Sequence, residues 1–276
     1  MYLRALGSAR TPIGVREPIW RGVLAAAALT LALVLPLATR AEAVDPGVAK
    51  GRSVLYVANL TKLEAARANP STDAKRIEAL EAWRRNDLAA VAYLRTLGFQ
   101  VKQVDEHAPP EATTGQALIL ISESVDAIEV GGKYRNTPIP LITFENDLLG
   151  DLEMSGQKSG RDYGTDDSQR FIWIVNAPHP LAAGLQAGLQ NVLTDEHFKM
   201  NWGKPGLGGV TIATLRGEPD KAAIFAYERG ATMSGEFLAP ARRVSFFLWQ
   251  DTFEALRPEG LALFRAAALW AVTPPK

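Results

Sequence analysis

Two short polar clusters stand directly after apolar runs, where a buried strand would hand its last residues to a ligand. Ser122-Glu123-Ser124 follows Ala117-Leu118-Ile119-Leu120-Ile121, and Glu145-Asn146-Asp147 follows Ile139-Pro140-Leu141-Ile142-Thr143-Phe144. A carboxyl placed there can lose its water and serve as a general acid or base. Equally, it can stay charged at the start of a helix, where Asn and Asp cap and Glu meets the dipole. Ser122 and its neighbours can offer hydroxyls and backbone N–H groups to a sugar or an anion, or cap a turn. Ser122 lacks the G-x-S-x-G context of a serine hydrolase. His179, in Asn176-Ala177-Pro178-His179-Pro180, can act as a general base or simply satisfy a loop carbonyl. In Thr194-Asp195-Glu196-His197-Phe198, read as extended, Asp195 and His197 share one side. Two such ligands are too few for a metal, so no metal site is expected. Trp202, beside the glycine-rich Gly203 to Gly209, can stack on a sugar ring or cover the edge of the core. Asp251, in Trp249-Gln250-Asp251-Thr252, reads as the cap of a helix beginning near Thr252.

Composition narrows the chemistry. The 276 residues contain no Cys, which excludes a thiolate nucleophile, disulfides and cysteine-ligated zinc. With 30 basic and 30 acidic residues the chain has no electrostatic footprint for nucleic acid. Neither G-x-x-x-x-G-K-[ST] nor G-x-G-x-x-G occurs, so nucleotide binding is disfavoured and no cofactor is expected. Apolar residues make up 47% of the chain, enough to bury a core rather than remain disordered.

The first segment reads as an address. Arg4, Arg10, Arg16 and Arg21 lead into the apolar run Val23 to Leu35, and Ala41-Glu42-Ala43 offers a small-residue cleavage site. That three-part order is expected of a secretory signal peptide over residues 1–43; an uncleaved anchor is the competing reading. Residues 1–43 carry five Arg and two Glu, which leaves 25 basic and 28 acidic side chains over 44–276. The remainder is expected to be one mildly acidic domain, periplasmic or secreted, with no membrane association after cleavage.

The remaining elements must position the clusters. Ser53 to Asn59 is apolar at alternate and intervening positions, as a strand buried on both faces requires. Leu60 to Arg85 reads as helical, Asn86-Asp87 as a cap, and Leu88 to Leu97 as a second helix stopped by Gly98. Strands are expected at Phe99 to Val104, Ala117 to Ser122 and Ile139 to Phe144, then a helix through Leu148, Leu149 and Leu152. Gly156 to Gln169 reads as a loop. Later strands are expected at Phe171 to Val175, Val210 to Leu215, Ala222 to Tyr227 and Val244 to Leu248. The last three form an antiparallel meander turning at Gly217 to Asp220 and at Gly230, before a closing helix Pro258 to Val272. The alternation predicts an α/β fold: a doubly wound, mostly parallel sheet with helices on both faces and a strand-rich C-terminal half.

Several segments in this order carry a resemblance. They are Val54-Leu55-Tyr56-Val57, Leu94-Arg95-Thr96-Leu97-Gly98-Phe99, Leu118 to Val125, Tyr134-Arg135 before Ile139 to Glu145, His179-Pro180-Leu181-Ala182-Ala183-Gly184-Leu185, and Arg243 to Leu248. Together they resemble the class I glutamine amidotransferase-like superfamily, and within it the trehalose-utilisation-like domains of secreted bacterial proteins, over roughly Val54 to Val272. The resemblance implies a flavodoxin-like fold. It places Glu145 where the active enzymes keep their cysteine, without the flanking glycines of the nucleophile turn, so glutaminase chemistry is not expected. The related domains also carry an Asp-Glu before an aromatic, which makes Asp195 and Glu196 an expected site edge. In that fold a crevice at Asn59, Ser122, Glu123, Glu145 and His179 would hold a ligand.

Two functions stay open. One is an exported, non-enzymatic binding or accessory domain for a carbohydrate or other small polar ligand. The other is a hydrolase or isomerase on a sugar-like substrate, with Glu145 and His179 as its acid/base pair. Export makes a direct prediction: N-terminal sequencing of the protein from its native host should begin at or near Val44. Soluble cytoplasmic protein with an intact Met1 would contradict it.

Overall fold

The structure, a computed structural model, describes residues 45–274; the expected leader lies outside them. The strands are β1 (Ser53–Ala58), β2 (Gln100–Asp105), β3 (Leu118–Ile121), β4 (Leu141–Thr143), β5 (Tyr163–Asp166), β6 (Phe171–Ile174), β7 (Gly188–Asn191), β8 (Met200–Gly203), β9 (Val210–Leu215), β10 (Glu218–Tyr227) and β11 (Arg243–Phe246). The α-helices are α1 (Lys62–Ala68), α2 (Ala74–Thr96), α3 (Ala127–Val130) and α4 (Pro258–Val272).

All eleven strands join one sheet, whose main path runs β2-β1-β3-β4-β11-β10-β9-β6-β7. The first five are mutually parallel, in the order of a flavodoxin-like sheet. The expected neighbours β1, β3 and β4 are adjacent, with Val54 opposite Leu118 and Ile119 opposite Leu141. From β11 onward pairing is antiparallel: β10 to β11 and β9, β9 to β6, and β6 to β7. The meander β9-β10-β11 forms as expected, although its first turn is tighter and β10 already begins at Glu218.

Alternation explains why the parallel strands are apolar throughout. Val54, Tyr56, Leu118, Leu120 and Ile142 face one core, and Leu55, Val57, Ile119, Ile121 and Leu141 face the other. The first core is covered by α2, through Ala90, Val91 and Leu94, and by α4, through Leu263, Phe264 and Ala267. The second is covered by the short α3 and by turns that bury Leu148, Leu149, Leu152 and Met154.

The structure revises four local expectations. Asn86-Asp87 is not a cap: α2 runs unbroken through both, and its own cap is Asp73, which accepts from the Lys75 N–H at 2.9 Å. Gly98, at φ +99°, does end it. The segment after β4 is a string of turns rather than a helix. Only one of its N–H groups reaches back four residues, from Leu152 to Leu148, and Glu153 turns left-handed at φ +58°. The expected loop 156–169 contains β5, which pairs with β8. Asp251 lies in a turn well before α4, so it caps nothing there.

Phe264 is fully buried and meets the rings of Tyr93, Phe144, Phe246 and Phe253 at 5.0–6.0 Å. Aromatic groups of this kind dominate core energetics. Phe264→Ala should therefore lower the unfolding free energy by about 3–5 kcal/mol, read by urea denaturation of the folded domain. A loss under about 1 kcal/mol would show that α4 does not anchor this face.

Candidate functional site

A crevice of about 580 Å³ opens at the carboxyl ends of the parallel strands. Glu123 to Ile128 enter it after β3, Glu145 to Asp147 after β4, and Trp249 and Gln250 after β11. Helices α1 and α2 contribute Lys62, Arg76 and Trp83, and β5 contributes Tyr163. Open α/β sheets expose their loops at this end, so this is where such a fold holds ligands.

The wall is fixed by a buried carboxylate. Asp87, in the middle of α2, accepts hydrogen bonds from the Tyr56 hydroxyl at 2.8 Å, from Ser124 Oγ at 2.7 Å, and from Ser122 Oγ. Ser124 Oγ in turn accepts from the Asn59 N–H at 3.2 Å. Helix α2 is thereby tied to the ends of β1 and β3. Burial raises the Asp87 carboxyl above its ordinary range, while the three hydroxyls pull it back down. Asn86 makes the matching bond to the far side, accepting from the Glu254 N–H at 2.9 Å. Both residues mimic a cap in the sequence because Asn and Asp cap locally; here their partners are tertiary.

A second buried acid steadies the rim. Glu106 accepts from Asn59 Nδ2 at 2.5 Å and from the Asp126 N–H at 2.5 Å. Asp126 then caps α3 by accepting from the Ile128 N–H at 3.0 Å.

Glu123 and Glu145 form the floor, at 4% and 6% exposure, so that desolvation governs both. Burial pushes the Glu145 carboxyl up to about 8, although Glu145 accepts from the Asp147 N–H at 2.9 Å. Burial and the neighbouring Glu145, Asp147, Asp87 and Asp251 push the Glu123 carboxyl well above its usual range. Partial desolvation also raises Asp147, which is exposed at the rim. Glu123 Oε2 is enclosed and has no hydrogen-bond partner among the described residues. Glu145 is not among the residues with left-handed backbone, so the strained elbow of a nucleophile turn is absent at this position.

Of the residues expected from sequence, Ser122, Glu123 and Glu145 gather at this end of the sheet. Asn59 lies beside them, in a small adjoining cleft with Asp87 and Ser124. His179 does not join them. It follows β6, which runs antiparallel to β11, so it emerges at the opposite end of the sheet from Glu145. There its Nδ1 accepts from the Leu181 N–H at 3.1 Å, its ring lies against Trp270 at 5.4 Å, and burial lowers its basicity. The expected Glu145–His179 acid/base pair is thus separated by the length of the strands. Asp195 and Glu196 do not line the crevice either. They occupy an exposed bend rather than a strand, where Asp195 Oδ1 faces His197 Nδ1 at 2.8 Å. Trp202 is buried in β8, its Nε1 donating to Asp166 at 3.0 Å, so it covers a core edge.

Sequence reading did not find Trp83, Tyr163 and Asp87 as site residues. No motif marks them; only the packing of α2 and β5 over the strand ends brings them there. Among the described residues, no group of three or more His, Asp or Glu is placed to hold a metal ion.

No family model matches the chain, and no curated protein matches it. Among solved structures it is similar to a provisionally assigned ThuA-like protein from Bacteroides uniformis, at 12% identity and a TM-score of 0.49, covering 80% of this chain and 91% of that one. It is also similar to a provisionally assigned GMP synthase component from Thermoplasma acidophilum, at 10% identity and a TM-score of 0.44, covering 79% and 94%. The flavodoxin-like assignment stands on the strand order itself.

Burial of Glu145 has a signed consequence for stability. In the unfolded chain its carboxyl titrates at about 4.3. The folded state holds the proton up to about 8, so the associated stability is complete below the unfolded value, falls as pH rises from there to about 8, and levels off above it. Glu145→Gln keeps an acceptor for the Asp147 N–H and cannot ionise. The variant should match the parent at pH 4 and exceed it at pH 8.5 by on the order of a few kcal/mol in urea unfolding. A difference that does not change with pH would contradict a desolvated Glu145.

Proposed function

We propose that this chain is a non-enzymatic binding domain, exported from the cell, that takes a small polyhydroxylated ligand of the carbohydrate class into the crevice beyond β3, β4 and β11. The observation that carries this reading is the pairing of acceptors with aromatic faces in one cavity of ligand size: Glu123, Glu145 and Asp147 beside Trp83, Tyr163 and Trp249. Hydroxyl groups donate to carboxyl oxygens, and the C–H faces of a sugar ring lie on aromatic rings. Trp83 and Trp249 also have cations over their rings, Arg76 at 4.7 Å and Lys199 at 5.4 Å. These contacts hold the rings by cation–π attraction.

Acyl transfer is outside this chemistry. A carboxylate at Glu145 is a poor acyl-transfer nucleophile, and the chain has no thiol. One observation favours a second reading: a carboxyl raised to about 8 holds its proton at neutral pH and can donate it as a general acid. Turnover of aryl glycosides by the folded domain, lost in Glu145→Gln, would establish that reading.

The binding reading predicts saturable heat in calorimetry with mono- or disaccharides. Trp249→Ala should weaken that binding roughly tenfold while leaving the melting temperature close to the parent's. Equal affinity in the variant would remove Trp249 from the site.

A further inference from the structure

We infer that the ligand of this crevice carries a positive charge, a primary amine on a polyol of the amino-sugar class, whose ammonium is taken between Glu123 and Glu145. The inference rests on the crevice being the binding site and goes further by naming what occupies its floor.

Every other buried acid at this end of the sheet has its donors supplied by the protein. Asp87 has three hydroxyls, Glu106 has Asn59 and the Asp126 N–H, and Glu145 has the Asp147 N–H. Glu123 is the exception: it lines the crevice, is 4% exposed, and among the described residues neither carboxyl oxygen has a partner, Oε2 being enclosed and Oε1 not. A buried carboxyl left unpaired is unfavourable, and a ligand that supplies a donor to Oε1 gains by relieving it.

The charge around Glu123 selects the kind of donor. The turn after β4 presents Glu145, Asp147 and Asp151 to the cavity, and the start of α3 presents Asp126. Asp87 on α2 and Asp251 after β11 add to the field on Glu123. Against these acids stand Lys62 on α1 and Arg76 on α2, and Arg76 is drawn over the Trp83 ring. Neither cation forms an ion pair with Glu123 or Glu145. An ammonium brings three donors and the missing positive charge, whereas a hydroxyl brings one donor and no charge. Tyr163, Trp83 and Trp249 leave the rest of the cavity suited to a ring.

The raised carboxyls supply a signature. At neutral pH the free floor holds protons, as Glu145 does up to about 8. An ammonium favours the ionised carboxylates and displaces a proton, so binding should release close to one proton per site. A neutral polyol leaves the protons in place.

The test is calorimetry of the folded domain at pH 7 in phosphate and in HEPES, buffers that differ in ionisation enthalpy. The probes are glucosamine, glucose, N-acetylglucosamine and ethanolamine. Glucosamine is expected to bind at least tenfold more tightly than glucose or N-acetylglucosamine, with a buffer-dependent heat that reports proton release. Glu123→Gln should erase that preference and the release while keeping the parent's circular dichroism. Equal affinity for glucose and glucosamine, or no proton release, would overturn the charged ligand and leave the polyol site standing. Ethanolamine binding with no sugar bound would uphold the charge and overturn the polyol. Silence from all four probes would overturn both. Should Glu123→Gln fail to fold, Glu145→Gln serves the same comparison.

Discussion

Asp87 is held by three hydroxyls, one from strand β1 and two from the turn that follows its parallel neighbour β3. That arrangement forces α2 to lie across the ends of β1 and β3, and everything at the site depends on it. With the helix there, Trp83 and Arg76 overhang the cavity and Ser122 and Ser124 are used up inside the wall. A carboxylate in the middle of a helix would ordinarily face water. This one accepts three hydrogen bonds instead, which keeps a polar group inside the fold satisfied while its surroundings are dry.

The same dryness reaches the floor. Glu123 and Glu145 sit above apolar strands whose two faces are both packed, so little solvent screens them, and the charge of Glu145 raises the proton affinity of Glu123 further. Asp87 and Glu106 are satisfied by the protein, and Glu123 is not. The sheet explains the division of labour. Its parallel half delivers loops from β3, β4 and β11 to one end, where the crevice forms. Its antiparallel half sends alternate loops to the other end, which carries His179 away from Glu145. The antiparallel strands still contribute to the site, since β8 supports β5 and β5 places Tyr163 at the rim.

Much of the fold was readable from residue pattern. Strands β1 and β3 are apolar on both faces, Gly98 has the backbone freedom that stops α2, and α4 begins at Pro258 and ends at Val272 as its apolar spacing implies. Glu145 was readable too, since a carboxylate after a buried strand has few places to go but the strand end. What failed to show was set by tertiary partners. Asn86 and Asp87 have the chemistry of a cap, and only the positions of Tyr56, Ser122 and Glu254 reveal the other use. His179 could be placed only by knowing the direction of β6, which follows from the hairpins joining β9, β10 and β11. Strands β5 and β8 are short, glycine-bearing and polar on one side, so no periodicity marked them. Gly203 is required there because a side chain would strike Leu149 and Phe225.

A desolvated pair of carboxyls forms the floor of the crevice, and carbon-detected NMR titration of the Glu side-chain carboxyls in the folded domain reads this state, with Glu145→Gln and Glu123→Gln to assign the two signals. Glu145 is expected to titrate at about 8, and Glu123 to stay protonated well above the ordinary value of about 4.3. Both carboxyls titrating between pH 4 and 5 would mean a hydrated floor, and would contradict the desolvated pair.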